Sequence, residues 1–377
     1  MKIGIPTETA TGETRVAFVP ALAGALVRDQ HEILIEGGAG LRAGVSDPQY
    51  AAAGAKIMGS AQELYAEADL VFKVQPPTVA EAGLIREGAA YIGFLAPFNN
   101  VPVLREFVHR RITGYAMEFI PRITRAQGMD ALSSQATVAG YKAVLIAAER
   151  IGKMFPMLMT AAGTVTPATV LVLGAGVAGL QAIATAKRLG ARVEAFDPRP
   201  AVRDQVKSLG ALFVEMELPK DAETAGGYAK ELSPEFIQKE MEAIGARLPK
   251  VDVVISTAQV FGKKAPLLVT GEMVGLMRPG AWFIDLAAEQ GGNCELTRAG
   301  ETVMHHGVAI FGAVNLPATV PADASALYAR NCFNLFRHLY PKPDVQPDPA
   351  DEIVKGACLV RGGEVVNETV RKLLSPG

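Results

Sequence analysis

The stretch TVLVLGAGVAGLQAIATAKRLGARVEAFD, residues 169–197, decides the fold. It opens with the unbroken apolar run Val170–Leu173, which is typical of a parallel strand covered on both faces. A GxGxxG turn follows, then a helical pattern that ends at Gly190, then a second strand pattern that finishes on Asp197. This order of strand, glycine turn, helix, strand and acid predicts a βαβ unit that binds a dinucleotide.

The glycines of this turn have separate predicted roles. Gly174 permits the tight turn out of the strand, Gly176 lets the backbone approach a pyrophosphate, and Gly179 lets the helix pack close to the strand. The first N–H groups of the helix are available to bind an anion. The turn residues that we expect to bind the cofactor are Gly174, Ala175, Gly176, Val177 and Gly179. The alternative is a tight βα turn followed by an incidental surface aspartate.

Asp197 predicts which dinucleotide is bound. It lies 18 residues past Gly179, where a carboxylate can accept hydrogen bonds from both ribose hydroxyls of an adenosine. A 2′-phosphate there would meet like charge, which costs roughly 4 kcal/mol per charge pair at about 4 Å and an effective dielectric constant of ~20. The sequence therefore predicts NAD(H) rather than NADP(H), although Arg199 and Arg203 are near enough in sequence to weaken the preference.

The composition excludes several classes of protein. The chain has 377 residues, enough for about two domains, and its 49% hydrophobic and 20% charged content excludes disorder. A net charge of −2 gives no electrostatic basis for binding nucleic acid. The three cysteines lack CxxC spacing, which indicates a reducing compartment, and the five histidines lack metal-ligand spacing, so we predict no metal site.

One long uncharged segment is a candidate for a membrane-spanning helix. Between Lys153 and Lys187 there are 33 residues without a charge, whereas a spanning helix needs only ~20. Prolines and glycines divide this segment into short pieces, however, so we expect buried core. The first residues form a strand pattern rather than a signal peptide.

Alternation of strand and helix patterns predicts the domain organisation. From residue 3 to residue 116 the two patterns alternate, which indicates a first α/β unit, and the helical pattern at 325–339 returns the chain to it. We therefore predict an α/β fold of two Rossmann-like domains, with the dinucleotide-binding domain inserted into a split first domain. The predicted bounds are 1–134 with 326–377 for the first domain and 135–325 for the inserted domain.

Smaller features give further expectations. Ser133 and Ser134 are expected to cap the helix that follows them. His305 and His306 read as a solvated loop before a strand, and residues 308–311 and 315–317 as the close of the second sheet. The charged segment 217–249 is either a surface excursion or a lid with a glycine hinge, and the sequence leaves these two alternatives open.

Six stretches together resemble a known family. MKIGIPTETATGETRVAFVP, GAGVAGLQAIATAKRLGA and IDLAAEQGGNCE are similar to the alanine dehydrogenase and transhydrogenase superfamily. PRITRAQGMDALSSQ, AETAGGYAKE and FPMLMTAAGTV narrow the resemblance to the NAD(H)-binding component, domain I, of proton-translocating nicotinamide nucleotide transhydrogenases. The similarity runs almost end to end, and the lack of membrane spans before Gly377 resembles the separate alpha subunit of split-chain versions.

The resemblance implies roles for individual residues. Arg122, Gln127, Asp130 and Ser133 match the Arg-Gln-Asp loop of the family, which contacts the nicotinamide end of the cofactor. An ordinary capped turn with a surface ion pair is the alternative. Tyr228 matches the tyrosine of the mobile loop. By analogy, Gln259, Glu289 and Asn315 lie at strand ends near the ring.

The resemblance also implies partners and a reaction. It implies direct hydride transfer from NADH to NADP⁺ held by a beta subunit, with proton translocation through membrane subunits, one of them a small membrane alpha subunit. We accordingly expect a homodimer that is cytoplasmic and attached to the inner face of the membrane through these partners. This activity is that of an oxidoreductase and translocase, the Si-face/Re-face-specific NAD(P)⁺ transhydrogenase.

One departure separates the two branches of the superfamily. Alanine dehydrogenases carry a histidine after the fourth strand and an aspartate in a late DQGG turn, whereas this chain has Phe94 and Glu289 there. Arg15 and Lys73, which match carboxylate-binding positions of the dehydrogenases, persist. Hydride transfer between two nicotinamides needs no acid–base group, so the departure favours a transhydrogenase. A stand-alone alanine dehydrogenase and an NAD-sensing regulatory module are the alternatives.

Overall fold

The computed structural model describes residues 1–215, 234–342 and 345–374. The strands are β1 (Lys2–Ile5), β2 (Glu32–Glu36), β3 (Lys56–Met58), β4 (Leu70–Phe72), β5 (Ala90–Gly93), β6 (Thr113–Ala116), β7 (Leu158–Thr160), β8 (Gly163–Val165), β9 (Thr169–Leu173), β10 (Arg192–Phe196), β11 (Leu212–Phe213), β12 (Val253–Ser256), β13 (Trp282–Asp285), β14 (Thr302–His305), β15 (Val308–Gly312), β16 (Cys358–Arg361) and β17 (Glu364–Val365).

The α-helices are α1 (Pro20–Arg28), α2 (Asp47–Ala52), α3 (Ala61–Glu67), α4 (Val79–Leu84), α5 (Val101–His109), α6 (Ala131–Arg150), α7 (Val177–Arg188), α8 (Arg203–Ser208), α9 (Pro234–Gly245), α10 (Gly271–Val274), α11 (Pro321–Leu339), α12 (Glu352–Ala357) and α13 (Glu368–Leu374). Not one of the helices described is both long enough and apolar enough to cross a bilayer.

The chain divides into two compact units. The first unit comprises residues 1–135 and 317–377, and the second comprises residues 136–316. The second boundary lies before α11, because this helix is continuous; residue 325, where the sequence places the boundary, falls inside it. The α/β class and the Rossmann-like character of the fold are confirmed.

The first unit contains an eight-stranded sheet in the order β17-β16-β6-β5-β4-β1-β2-β3. Its pairs from β6 to β3 are parallel, and β16 and β17 add an antiparallel edge. Apolar residues of β1, β2 and β4 pack against buried residues of α11, among them Tyr328 and Phe336. The C-terminal part of the chain thus completes the core of the first unit.

The second unit contains a seven-stranded sheet in the order β11-β10-β9-β12-β13-β15-β14. Six of these strands are parallel, and β14 pairs antiparallel with β15. The parallel registers align the last residues of five neighbouring strands, which are Phe196, Leu173, Ser256, Asp285 and Gly312. Loops that follow these residues therefore emerge along one edge, where ligands bind in open α/β sheets.

Three local expectations differ from the structure. The second sheet closes with β14, not with residues 315–317, and His305 ends β14 while His306 and Gly307 form its turn into β15. The cap of α6 is Asp130 rather than Ser133 or Ser134, because the helix already begins at Ala131. The short polar side chain directly before the first helical residue takes the cap position.

Candidate functional site

The glycine turn after β9 has the geometry that its sequence requires. Gly174 has a φ of 90°, a left-handed conformation that favours glycine. A Cβ atom on Gly179 would lie 1.9 Å from the carbonyl oxygen of Gly174, so only glycine permits this approach of α7. A Cβ atom on Gly176 would meet nothing closer than Arg199 Nη2 at 3.9 Å. The backbone at Gly176 is therefore open on the side where a ligand would approach.

The Asp197 side chain lies beside this turn and is almost fully buried. Its Oδ2 accepts a hydrogen bond from Ala175 N at 2.7 Å and one from Arg199 Nη2 at 2.7 Å. Its Oδ1 accepts from Arg199 N at 2.9 Å and from Arg199 Nε at 2.8 Å. A carboxylate has about four lone-pair sites. Asp197 is thus saturated with hydrogen bonds from the protein.

The two arginines that follow Asp197 have different partners. Arg199 forms the ion pair with Asp197, whereas Arg203 Nη2 lies 2.7 Å from Glu215 Oε2. The Arg203 guanidinium also packs over the ring of Phe213 at 5.7 Å from its centroid. Of these two arginines, Arg199 is therefore the one that contacts the predicted ribose acceptor.

A residue that the sequence did not single out holds the turn after β13. Asp285 is fully buried, and its carboxylate accepts hydrogen bonds from Ala287 N, Asn293 N, Cys294 N and Thr297 Oγ1 at 2.6–3.2 Å. Burial raises the pKa of Asp285 even against these four donors. Its position as the last residue of an apolar strand was the available signal.

Asn293 performs a similar task for the loop after β12. Its Oδ1 accepts from Ser256 Oγ at 2.6 Å and from Ala258 N at 3.1 Å, and its Nδ2 donates to the carbonyl groups of Ala258 and Pro266. Two strand-end loops are thereby fixed by buried side chains, Asp285 and Asn293.

The remaining predicted residues of the second unit lie at the same strand ends. Gln259 is exposed, and its Nε2 donates to the carbonyl oxygen of Leu286 at 2.7 Å. Glu289 is exposed in the turn after β13, and Asn315 follows β15 with a φ of 44°. Tyr228 lies outside the described residues.

In the first unit, the predicted Arg-Gln-Asp loop encloses a cavity. The cavity has a volume of about 310 Å³. Its lining includes Arg122, Gln127, Asp130 and Ser133, the four loop residues that the sequence groups together. The loop itself is a 3₁₀ helix, Thr124–Met129, directly before α6.

Asp130 links this cavity to the start of α6. Its Oδ1 accepts from Ser133 N at 2.8 Å, and its Oδ2 accepts from Ser133 Oγ at 2.6 Å. The carboxylate also lies at the positive end of the helix dipole, which stabilises its charge. The side chain is therefore held in one orientation before any ligand binds.

Helix α11 fixes the loop from the other side. Asn331 Nδ2 and Asn334 Nδ2 both donate to the carbonyl oxygen of Gly128, at 2.9 and 2.8 Å. Arg125 forms an ion pair of 2.6 Å with Asp351, which also contacts His338. Three anchors thus hold a loop that is polar and rich in small residues.

The Arg15 side chain already binds other side chains of the first unit. Its guanidinium binds Glu13 in a bidentate pair, at 2.8 and 2.6 Å, and donates to Gln135 Oε1 at 2.8 Å. Burial alone would raise the pKa of Glu13, but the hydrogen bonds and charge of Arg15 lower it to about 2. This pair is a structural ion pair in the core of the first unit.

Lys73 is engaged in the same way. Its Nζ lies 3.0 Å from Glu8 Oε2 and 3.4 Å from Glu81 Oε1, and its side chain is fully buried. Phe94, at the position where the dehydrogenases have histidine, packs its ring 5.4 Å from that of Tyr328. The phenylalanine side chain at position 94 has no group that could transfer a proton.

Comparison with known proteins agrees with this geometry. The models of the alanine dehydrogenase/PNT family match both halves of the chain, the N-terminal domain over residues 4–139 and the C-terminal domain over residues 143–368. The chain belongs to this family. It is 49% identical to the first component of NAD(P) transhydrogenase subunit alpha of Rhodospirillum rubrum, with 97% of the chain and 98% of the relative covered.

Two further comparisons separate the branches of the family. The crystal structure of transhydrogenase from Sinorhizobium meliloti has a TM-score of 0.86 and 39% identity, covering 98% of this chain and 100% of that one. Alanine dehydrogenase of Mycobacterium tuberculosis is 34% identical and covers 86% of this chain and 84% of its own length. The chain is thus more similar to these transhydrogenases than to that dehydrogenase.

Proposed function

We propose that the chain is the NAD(H)-binding alpha subunit of a proton-translocating NAD(P) transhydrogenase. The observation that carries this proposal is that Arg15 and Lys73 form ion pairs with buried carboxylates of the chain itself. In addition, position 94 is a phenylalanine. A substrate carboxylate would have to displace Glu13 or Glu8 from a buried ion pair. Oxidation of an amino acid would also lack its proton acceptor.

The glycine turn fits the cofactor. The open backbone at Gly176 and the N-terminus of α7 form a surface that suits a pyrophosphate. Gly174, Ala175, Val177 and Gly179 would shape this surface. Asp197 would act on the adenosine ribose once the Arg199 side chain releases it. NADP(H) would be held by the partner subunit.

The loop at residues 122–133 would orient the nicotinamide. Bound NADH supplies a hydride from its C4 atom, which passes directly to NADP⁺. Arg122 and Gln127 can donate hydrogen bonds to the carboxamide, and Asp130 can accept one. The anchors on α11 would keep these groups in place, because direct transfer requires positioning and exclusion of water. Gln259, Glu289 and Asn315, at strand ends of the second unit, are further residues that we propose to contact the cofactor.

The relatives are named as transhydrogenase subunits, which supports a complex of several subunits. We propose a beta subunit that binds NADP(H), a small membrane alpha subunit, and a cytoplasmic location at the inner face of the membrane. Proton translocation would belong to these membrane subunits.

We also propose that the chain is a homodimer. Strands β7 and β8 form a two-stranded sheet of their own within the described residues of the second unit. This hairpin carries exposed apolar side chains, of which Met159 is 76% exposed. A two-stranded hairpin is marginally stable in water, and an exposed apolar patch indicates an interaction site. A second copy of the chain is the occupant that we propose.

Reconstitution tests the function. The purified chain is mixed with a recombinant NADP(H)-binding beta subunit, and an oxidised NAD analogue with a distinct absorbance is reduced by NADPH. We expect hydride transfer that needs both proteins. As a control, the chain alone with pyruvate, ammonia and NADH should show no turnover.

Other outcomes would identify the alternatives. Rapid turnover with pyruvate and ammonia would establish an alanine dehydrogenase. Binding of NADH without hydride transfer in the reconstituted mixture would favour an NAD-sensing regulatory module.

A further inference from the structure

Helix α9 places a carboxyl group in its apolar stripe. Phe236, Glu240 and Ile244 follow each other at intervals of four residues, and all three are buried. Ile244 packs in a cluster with Leu173 and Phe196, the last residues of β9 and β10. Glu240 is only 4% exposed. It therefore lies on the face of α9 that covers the sheet.

The Glu240 carboxyl group has no partner among the described residues. No described residue donates a hydrogen bond to it or pairs with it as a cation, and Asp197 is the charged group that acts on it. Burial and, to a smaller extent, the negative charge of Asp197 together raise the pKa of Glu240 to about 7. Glu240 is thus close enough to the predicted ribose acceptor to sense its charge.

A count of acceptors separates the two carboxyl groups. All of the roughly four lone-pair sites of Asp197 accept hydrogen bonds, from Ala175 and from three groups of Arg199. Glu240 accepts none from the residues that the structure describes. Two ribose hydroxyls that enter this region need acceptors. Glu240 offers lone pairs directly, whereas Asp197 offers them only once Arg199 releases it.

We propose that Glu240 is a specificity-determining residue that accepts a hydrogen bond from a ribose hydroxyl in the adenosine half of NAD(H) and repels a 2′-phosphate. This inference rests on the proposed function, since it requires that NAD(H) binds at the glycine turn. It adds a second carboxylate to the site and assigns it the discrimination between the two nucleotides.

The charged groups around Glu240 determine how pH affects the binding of the two nucleotides. Asp197 is the charged group whose field reaches it, and Arg199 neutralises Asp197. On α9 itself, Lys239 and Glu242 are exposed to solvent. A hydroxyl donates to the ionised carboxylate, so NADH binds more tightly as Glu240 loses its proton. A 2′-phosphate is repelled by the same ionised form, so NADPH binds more weakly.

Calorimetric titration of the full chain tests this inference. Dissociation constants for NADH and NADPH are measured at pH 6, 7 and 8. We expect the preference of the wild type for NADH to rise by about tenfold or more between pH 6 and pH 8, from the titration of one group near pH 7. The Glu240→Gln variant should lose this rise, and its preference at pH 8 should fall by a similar factor.

Two controls accompany the titration. Glu242→Gln removes an exposed charge two residues away and should retain the pH profile of the wild type. The 2′-phosphate titrates near pH 6, but it does so equally with every variant, so the comparison between variants cancels it. A melting temperature for each variant verifies that it is folded.

Proton release gives a second, independent measurement. At pH 7, titrations in buffers of different ionisation enthalpy should show that NADH binding to the wild type releases up to about half a proton, whereas Glu240→Gln releases none. Identical pH profiles and identical proton release in wild type and Glu240→Gln would overturn the inference while leaving the proposed function intact. A wild type that binds no NADH would overturn both.

Discussion

Two buried glutamates of the chain have pKa values that move in opposite directions, and the cause is a single neighbour. Glu13 has the bidentate Arg15 and its pKa falls to about 2, whereas Glu240 has no partner in the described chain and burial raises its pKa to about 7. Glu13 therefore contributes stability above the unfolded pKa that is lost as the pH falls towards 2. For Glu240, the free energy of unfolding instead falls as the pH rises from about 4.5 to about 7.

The raised pKa of Glu240 predicts a pH-dependent gain in stability from Glu240→Gln. The unfolded glutamate loses its proton near pH 4.5, but the folded one keeps it until about pH 7, so the free energy of unfolding of the wild type declines between these values. The variant lacks this decline. We expect it to be more stable by up to about 3 kcal/mol at pH 8 and equal to the wild type near pH 4. Urea unfolding at both pH values measures this, with Glu242→Gln as the control that should show no gain.

The glycine turn predicts a severe effect of substitution at Gly179. Gly179→Ala places a Cβ atom 1.9 Å from a backbone oxygen, so α7 must move away from the turn. We expect a loss of about 2 kcal/mol or more in unfolding free energy and at least tenfold weaker NADH binding. Gly245→Ala, at the end of α9, meets only Met273 Cε at 3.7 Å and should have little effect on either quantity. Equal effects of the two substitutions in urea unfolding would refute the role of the close approach.

At the scale of elements, the N-terminus of α6 joins stability to the proposed function. Asp130 caps this helix and also lines the cavity of the loop. Asp130→Ala should lose about 1 kcal/mol of stability together with hydride transfer. Asp130→Asn keeps a good cap but removes the charge, so it should retain the stability and still lose transfer. Chemical unfolding and the reconstituted assay separate the two effects; full transfer by Asp130→Asn would show that the carboxylate only caps.

The elements that sequence predicted well have local causes. Strand β9 and helix α7 follow directly from an apolar run, three glycines and the C-terminal Gly190, each of which acts within a few residues. Strand β14 was missed because polar and apolar residues alternate only weakly in Thr302–His305. Its place in the sheet comes from pairing with β15, which the pattern within the strand does not show. The second domain boundary depends on the continuity of α11, which the amino-acid pattern alone does not reveal.

The candidate site was predictable where its residues form a local sequence pattern. The loop at 122–133 and the glycine turn carry dense local patterns, and the structure groups the loop residues around one cavity. Asp285, Asn293 and Glu240 were missed because their roles depend on contacts between distant segments. For Glu240 a signal existed in the spacing of Phe236, Glu240 and Ile244, but it lies in a strongly charged segment that favours a solvated helix.

At the scale of the whole molecule, association through the β7–β8 hairpin is the feature open to direct test. Met159 is 76% exposed on a hairpin whose apolar side chains have no cover in the described chain. If a second copy covers them, Met159→Asp buries a charge in that interface and should convert the dimer to a monomer at micromolar concentration. Met304→Asp, at a residue 64% exposed on edge strand β14, introduces the same charge elsewhere and should leave the dimer intact. Sedimentation equilibrium distinguishes these results, and a Met159→Asp protein that stays dimeric would place the interface on another surface.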